Sequence, residues 1–113
     1  MKFRAMHKYA PTSARKARIV IDLIRSKPAS EALEILQFCN NRAAVMIDKV
    51  LRSAIANAGA EADPDALWVA DARINEGPSW PTRWMAGPRG RAMPIRKRTS
   101  HIIIELSDEK GAH

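Results

Sequence analysis

Arginine and tryptophan are concentrated in one stretch of the chain, residues 79–101, which holds six Lys or Arg residues and no acidic one. The six cations are Arg83, Arg89, Arg91, Arg96, Lys97 and Arg98. An arginine side chain presents a planar charged fork that fits phosphate and also stacks on bases. Trp80 and Trp84 lie among these cations, and an indole either stacks on an unpaired base or packs across a hairpin. This combination indicates a surface that binds a polyanion.

Residues that could support catalysis or metal binding are few and scattered. His7, His101 and His113 have no Cys or His neighbours at metal-ligand spacing, so we expect no metal and no other cofactor. His101 follows Arg98 and Thr99 closely and could act as the general acid or base of a small ribonuclease. A structural role or an RNA contact is the more common role of such a strand histidine. Cys39, the single cysteine, fits a small core residue in a reducing compartment.

The net charge of +7 is unevenly distributed along the 113 residues. Residues 1–28 carry +7, residues 29–78 carry −4, residues 79–101 carry +6 and residues 102–113 carry −2. Two basic blocks around an acidic middle are typical of a protein that binds nucleic acid, although mobile solvated segments would show the same pattern. No apolar run approaches the roughly 18 residues of a membrane span, and we expect a cytoplasmic location without membrane contact.

Helical periodicity predicts three helices. The first begins after Ser13 and runs to about Arg25, with Ala17, Val20, Ile21 and Ile24 on its buried side. Its first turns carry Arg15, Lys16 and Arg18, where the helix dipole disfavours cations, which suggests an external anion near this end. The second helix begins at a Ser30 cap and buries Ala32, Leu33, Ile35 and Leu36. The third spans about Arg42 to Ala58 and ends before Gly59.

Alternating residues predict strands at about 2–9, 67–75 and 99–106, with Ile102, Ile104 and Leu106 sharing one face of the last. Between the last two strands, Pro78, Pro81, Pro88 and Pro94 exclude a central strand but are tolerated in a two-stranded ribbon. The segment from Leu67 to Gly87 could extend up to ~70 Å, whereas a compact chain of this length has a radius of gyration of about 13 Å. We therefore predict a protruding hairpin that a partner must hold.

These residues carry a family resemblance. GPSW followed by GPRGRAMPIRKRTSHIIIEL resembles the signature of the bacterial large-subunit ribosomal protein numbered twenty-two, and the resemblance covers residues 1–108. Further matching positions are Tyr9, Ser13, Lys16, Arg18, Val20, Asp22, Leu23, Ile24 and Arg25, then Arg42 to Ala44, Ser53 to Ala58, and Asn75 to Pro78.

The resemblance implies an α+β fold in which three helices pack on a small three-stranded antiparallel sheet with a long protruding β-hairpin. We expect a single domain over residues 1–113, with a globular core at about 1–77 and 99–108, a hairpin arm at about 78–98 and a tail at 109–113. The implied function is structural: the protein binds large-subunit rRNA, aids subunit assembly and lines the exit tunnel. Its expected partners are rRNA, neighbouring ribosomal proteins and the nascent polypeptide, and no DNA.

The resemblance also assigns residues to roles. Expected rRNA contacts are Lys8, Tyr9, Ser13, Arg15, Lys16, Arg18, Arg25, Arg83, Arg89, Arg91, Arg96, Lys97, Arg98, Thr99, Ser100 and His101. The expected tunnel tip comprises Trp84, Met85, Ala86, Gly87, Pro88, Gly90, Ala92 and Met93. The tip departs from the family pattern, because Pro81-Thr82-Arg83 and Ala86-Gly87-Pro88-Arg89 replace a Lys-Arg pair followed by Pro-Arg-Ala.

Two other functions compete with this interpretation. A DNA-binding regulator would use the first two helices as a helix-turn-helix. The second helix, however, carries Glu31 and Glu34, and no basic residue occurs from Ser30 to Asn41, which is unfavourable for a helix entering a DNA groove. The other is the ribonuclease, which would use His101 with Lys97 or Arg98.

Overall fold

The computed structural model of the chain describes residues 2–59, 63–77, 80–86 and 92–108, and it confirms the α+β fold class with three helices and a three-stranded antiparallel sheet. In chain order the elements are β1 (Lys2–Ala10), α1 (Ala14–Ile21), α2 (Ala29–Phe38), α3 (Arg42–Asn57), a 3₁₀ turn (Pro64–Ala66), β2 (Trp68–Glu76), β3 (Trp80–Ala86), β4 (Ala92–Lys97) and β5 (Ser100–Ser107).

The core lies between the three-stranded sheet and the helices. β5 is the central strand and pairs antiparallel with both β1 and β2. Ile102, Ile104 and Leu106 of β5 are fully buried in this core, as their alternation predicted. Each helix contributes an apolar stripe, because residues at helical spacing fall on one side. The buried helix residues are Ala14, Ala17, Val20 and Ile21 of α1, Ala29, Ala32 and Leu36 of α2, and Ala43, Ala44, Ile47, Val50, Leu51 and Ala54 of α3.

The prediction that the first helix reaches about Arg25 is wrong, because α1 ends at Ile21. The chain continues in tight turns and reaches Ser26, which adopts a left-handed backbone with φ 61°. The Ser26 N–H then donates to the Val69 carbonyl, and the Val69 N–H donates to the Lys27 carbonyl. Pairing of this segment with the start of β2 therefore replaces the last helical turn.

The predicted N-cap residues of the helices are only partly confirmed. Ser13 occupies the N-cap position of α1, but its side chain makes no cap hydrogen bond. The predicted Ser30 cap is wrong, since α2 begins earlier, at Ala29, with Pro28 before it. Asn41 caps α3, and its Oδ1 accepts the Ala43 N–H at 3.0 Å. A side-chain cap thus forms at only one of these three helix starts.

Two β-bulges shift the alternation that the sequence predicts. In β2 the register slips between Val69 and Asp71, so that Val69 is buried on the same side as Ala72 and Ile74. In β1 the register slips between His7 and Ala10, which leaves Tyr9 55 % exposed and Ala10 fully buried. An extra residue in one strand turns the following side chains to the opposite face, and this is what both strands show.

β3 and β4 form a separate two-stranded antiparallel sheet, here called the ribbon. The ribbon continues the pairing of β2 with β5, since Glu76 pairs with Ser100 and Trp80 pairs with Lys97. The chain measures 61 Å in its longest direction and 24 and 22 Å in the others. Its radius of gyration is 17.0 Å, compared with about 13 Å for a compact chain of this length. This elongation agrees with a protruding hairpin.

Candidate RNA interface

One side of α1 is buried in the core, and the opposite, exposed side carries cations. Ala14, Ala17 and Val20 are buried, so Arg15 and Lys16 between them point outward and are exposed. α1 has no acidic residue in its first turn. The positive end of the helix dipole and the cationic side chains are therefore not neutralised by any residue of the first turn. This unneutralised positive charge favours binding of an external anion.

Two neighbouring grooves lie at this end of α1. The first, of about 320 Å³, is lined by Ser13, Ala14, Arg15, Glu76, Gly77, Arg98 and Thr99. The second, of about 360 Å³, is lined by Pro11, Thr12, Ser13, Lys16, Asn41, Arg42 and Arg98. Because Ser13 and Arg98 line both, we call the pair the basic grooves.

The basic grooves combine positive charge from three distant parts of the chain. Arg15 and Lys16 come from α1, Arg98 from the segment between β4 and β5, and Arg42 from the first turn of α3. α3 also lacks an acidic residue in its first turn. Among the described residues that line the basic grooves, Glu76 is the one carboxylate. Two helix N-termini and four cations in adjoining grooves make a site suited to phosphate groups.

Arg42 is a candidate phosphate-binding residue that was not predicted from the sequence. The sequence pattern places it in the third helix but not among the expected rRNA contacts, although it lines a groove with Lys16 and Arg98. The sequence does contain a signal for Arg42, because it directly follows the N-cap residue of α3. A cation there is unfavourable with the helix dipole, just as Arg15 and Lys16 are in the first turn of α1.

Two expected contact residues of α1 and the turn after it already have partners within the protein. The Nε and Nη2 atoms of Arg18 both donate to the Ile74 carbonyl, at 3.2 and 3.0 Å. This pair of hydrogen bonds ties α1 to β2. Arg25 forms an exposed ion pair with Asp22 at 3.2 Å. Both arginine residues are exposed, and their guanidinium groups keep further donors for a ligand.

Tyr9 and His101 form a contact across the β1 bulge. The Tyr9 N–H donates to Nδ1 of His101 at 3.1 Å, and the two rings meet edge to face with centroids 5.0 Å apart. His101 is half-buried, while Tyr9 and nearby Lys8 are exposed. Since Nδ1 accepts a backbone hydrogen bond, His101 has a structural function at the bulge.

Thr99 and Ser100 lie beneath the surface, with 6 % and 0 % of their areas exposed. Thr99 forms the floor of the first basic groove together with Gly77, whose N–H donates to the Thr99 carbonyl at 3.0 Å. A Cβ on Gly77 would lie 2.6 Å from Oγ1 of Thr99. The glycine therefore permits the close approach of β2 and β5 where the ribbon begins.

The structure places the backbone of the remaining expected residues only in part. Arg83, Arg96 and Lys97 lie on the ribbon strands. At the tip, Trp84 pairs with Pro94, Met85 with Met93 and Ala86 with Ala92. Gly87, Pro88, Arg89, Gly90 and Arg91 lie outside the described residues.

The part of the chain that the structure describes offers neither a metal cluster nor a helical membrane span. It contains no group of three or more His, Cys, Asp or Glu side chains that could hold a metal ion. No helix among these described residues is both long enough and apolar enough to cross a membrane.

Comparison with known protein families gives one match over most of the chain. The model of the family described as Ribosomal protein L22p/L17e matches residues 5–107. The matched region runs from β1 to the last residue of β5 and includes all residues that line the basic grooves.

Proposed function

The chain belongs to the ribosomal protein L22p/L17e family, and we propose that it binds large-subunit rRNA with the basic grooves and the ribbon. Members of this family are structural ribosomal proteins, so the chain has a structural role in the large subunit and is not an enzyme. The ribonuclease and the DNA-binding regulator are thereby set aside.

The convergence of cations at the basic grooves carries this proposal. Three arginines from separate parts of the chain meet at two helix N-termini: Arg15 lines the first groove, Arg42 lines the second and Arg98 lines both. Phosphates of a folded RNA are spaced along a backbone, so a binding surface needs several cations near one another rather than one deep pocket. Tyr9 and Lys8, both exposed at the β1 bulge, would extend the contact surface.

The ribbon has a separate part in the proposed function. Its sequence carries cations without acids, and a two-stranded sheet is marginal by itself in water. Binding to rRNA along the ribbon would stabilise it and would direct its tip, around Trp84 to Met93, to the wall of the exit tunnel beside the nascent polypeptide. By joining rRNA segments to one protein core, the chain would also aid subunit assembly.

Salt-dependent binding to a large-subunit rRNA fragment tests the basic grooves. We expect the double variant Arg42→Gln and Arg98→Gln to weaken binding and to reduce the slope of log affinity against log salt by about 1 for each phosphate that is no longer neutralised. The double variant Lys49→Gln and Arg52→Gln removes the same charge from the exposed side of α3 outside the grooves and should have the smaller effect. Equal slopes in the two variants would contradict the assignment of the grooves.

Co-sedimentation tests the role in the particle. The tagged protein should remain in the large-subunit peak through washes of rising salt, because many phosphate contacts act together. Release at modest salt, or sedimentation with DNA, would overturn the proposed function.

A further inference from the structure

A third groove, of about 500 Å³, lies between the turn that follows α1 and the outer side of α2. We call it the α2 groove; its lining residues are Leu23, Glu31, Glu34, Ile35, Phe38 and Cys39. None of these residues lines the basic grooves. Phe38 is 88 % exposed and Leu23 is 49 % exposed, which are large values for side chains of this size and polarity.

The α2 groove follows from the spacing of residues on the helix. Glu31, Glu34, Ile35 and Phe38 occur at i, i+3, i+4 and i+7, so they form one continuous stripe. The core uses a different side of α2, where Ala29, Ala32 and Leu36 are buried. Of this stripe, Ile35 is half-buried at the edge of the core, whereas Glu31, Glu34 and Phe38 are exposed. The helix therefore has a second, mixed side on which an aromatic ring lies beside two carboxylates that the fold leaves exposed.

The charge of the α2 groove is opposite to that of the protein. Among the described residues, Asp22, Asp48, Asp71 and Glu105 form ion pairs with Arg25, Arg52, Arg73 and Lys2. Within that same part of the chain, Glu31 and Glu34 have no ion-pair partner. Two unpaired carboxylates beside an exposed aromatic ring repel RNA phosphates and attract Lys or Arg.

We propose that the α2 groove binds a segment of a neighbouring protein that carries Lys or Arg next to apolar residues. Phe38 and Leu23 bury the apolar residues of that segment, and Glu31 and Glu34 pair with its cations. Aromatic side chains of this kind dominate the binding energy of protein interfaces when they become fully buried. The inference rests on the proposed function only in that the neighbour shares the large subunit.

Photo-cross-linking within the assembled subunit tests the occupant. A photoreactive phenylalanine analogue at position 38 keeps an aromatic ring there, and the high exposure of Phe38 means that the fold does not depend on it. The same analogue at Val45, which is 60 % exposed on α3, is the matched control. We expect position 38 to cross-link to a protein peptide with Lys or Arg beside apolar residues, and Val45 not to cross-link to that peptide.

The carboxylates are tested by charge removal in the same experiment. The double variant Glu31→Gln and Glu34→Gln should lower the yield of that protein cross-link roughly three- to tenfold, the range for two partly exposed ion pairs. Asp63→Asn with Asp65→Asn removes the same charge at exposed positions outside the groove and should leave the yield unchanged.

The outcomes separate the two proposals. Failure of the unmodified protein to enter large subunits would overturn the proposed function, and with it the inference. Entry into the subunit with cross-links from position 38 to RNA alone, to a second copy of this chain or to nothing would overturn the α2 groove assignment and leave rRNA binding intact. A yield that does not respond to removal of the Glu31 and Glu34 charges would overturn it as well.

Discussion

The base and the outer part of the long hairpin are stabilised in different ways: β2 and β5 at its base belong to the three-stranded sheet, whereas β3 and β4 form the ribbon. In the three-stranded sheet, β5 has a strand on each side and helices against one face, with Ile102, Ile104 and Leu106 fully buried. In the ribbon, β3 and β4 are hydrogen-bonded to each other and to no other strand in the part of the chain that the structure describes. Pro81 and Pro94 occur in the ribbon strands, where a missing N–H is tolerated because each strand has a free edge.

We infer from this difference that folding stability and the proposed RNA recognition are separated along the hairpin, with stability at its base and recognition in the ribbon. Burial of apolar area is the dominant favourable term in folding, and the buried side chains of the hairpin's base supply it. The ribbon has a sequence of cations and prolines that suits an RNA partner. Substitutions in the base should therefore change the free energy of unfolding, whereas changes in the ribbon should change RNA binding.

The largest effect is expected from Ile104→Ala. Ile104 is fully buried at the centre of β5, so removal of its side chain leaves a cavity and should lower the free energy of unfolding by about 2–5 kcal/mol. Chemical denaturation of the free protein measures this change. Ile19→Ala, at a position that is 65 % exposed, is the control and should change stability by less than about 0.5 kcal/mol. Similar decreases in both variants would show that β5 is not the centre of the core.

A smaller decrease in stability is expected from Gly77→Ala, at the junction of the two regions. The new methyl group would lie 2.6 Å from Oγ1 of Thr99, so the buried Thr99 side chain or the strands must shift, at a cost of roughly 1–3 kcal/mol. Combining it with Thr99→Ala removes that oxygen and should recover part of the stability in a double-mutant cycle. Strictly additive effects would mean that the close approach is not the cause.

Arg18→Met should cost less again, about 1 kcal/mol, because it removes two hydrogen bonds from the guanidinium to the Ile74 carbonyl while keeping apolar length. Thermal or chemical unfolding at fixed salt measures the change. Arg25→Met breaks only an exposed ion pair with Asp22 and should be nearly neutral. If Arg18 acted through RNA alone, the two variants would be equally stable.

The smallest change in stability is expected from replacing residues 80–97 with an Asn-Gly turn. The free energy of unfolding should stay within about 1 kcal/mol of the full chain, because an isolated two-stranded sheet contributes little by itself. Affinity for large-subunit rRNA should fall strongly. In the intact free protein, trypsin should cut after Arg83 and Arg96 before it cuts within the three-stranded sheet. A large decrease in stability would mean that the ribbon belongs to the folding core.

Much of the fold was predictable from the sequence because its signals are local. The apolar stripes of the helices identified buried residues such as Val20, Ile21 and Leu36, and the alternation in β5 identified its core face. The charge blocks indicated a nucleic-acid partner, and the motif around Gly90 to His101 resembled that of a ribosomal family, a resemblance that the family match over residues 5–107 confirmed. Periodicity, charge and motif spacing depend on residues that are close together in the sequence, so they can be recognised without a structure.

Tertiary structure decided the features that depend on contacts between distant segments. The bulges near Tyr9 and Ala70 arise from the register of β1 and β2 against β5, which no window of sequence contains. α1 ends early because residues after it pair with β2.

The two surfaces were decided in the same way. Arg42 and Arg98 share a basic groove only because the packing of α3 brings its first turn beside the base of the hairpin. Leu23 lies beside Phe38 only because the turn after α1 packs against α2. The pattern of apolar residues determines which side of each helix or strand is buried. The positions of the exposed residues relative to one another, however, follow from how the helices and strands pack together.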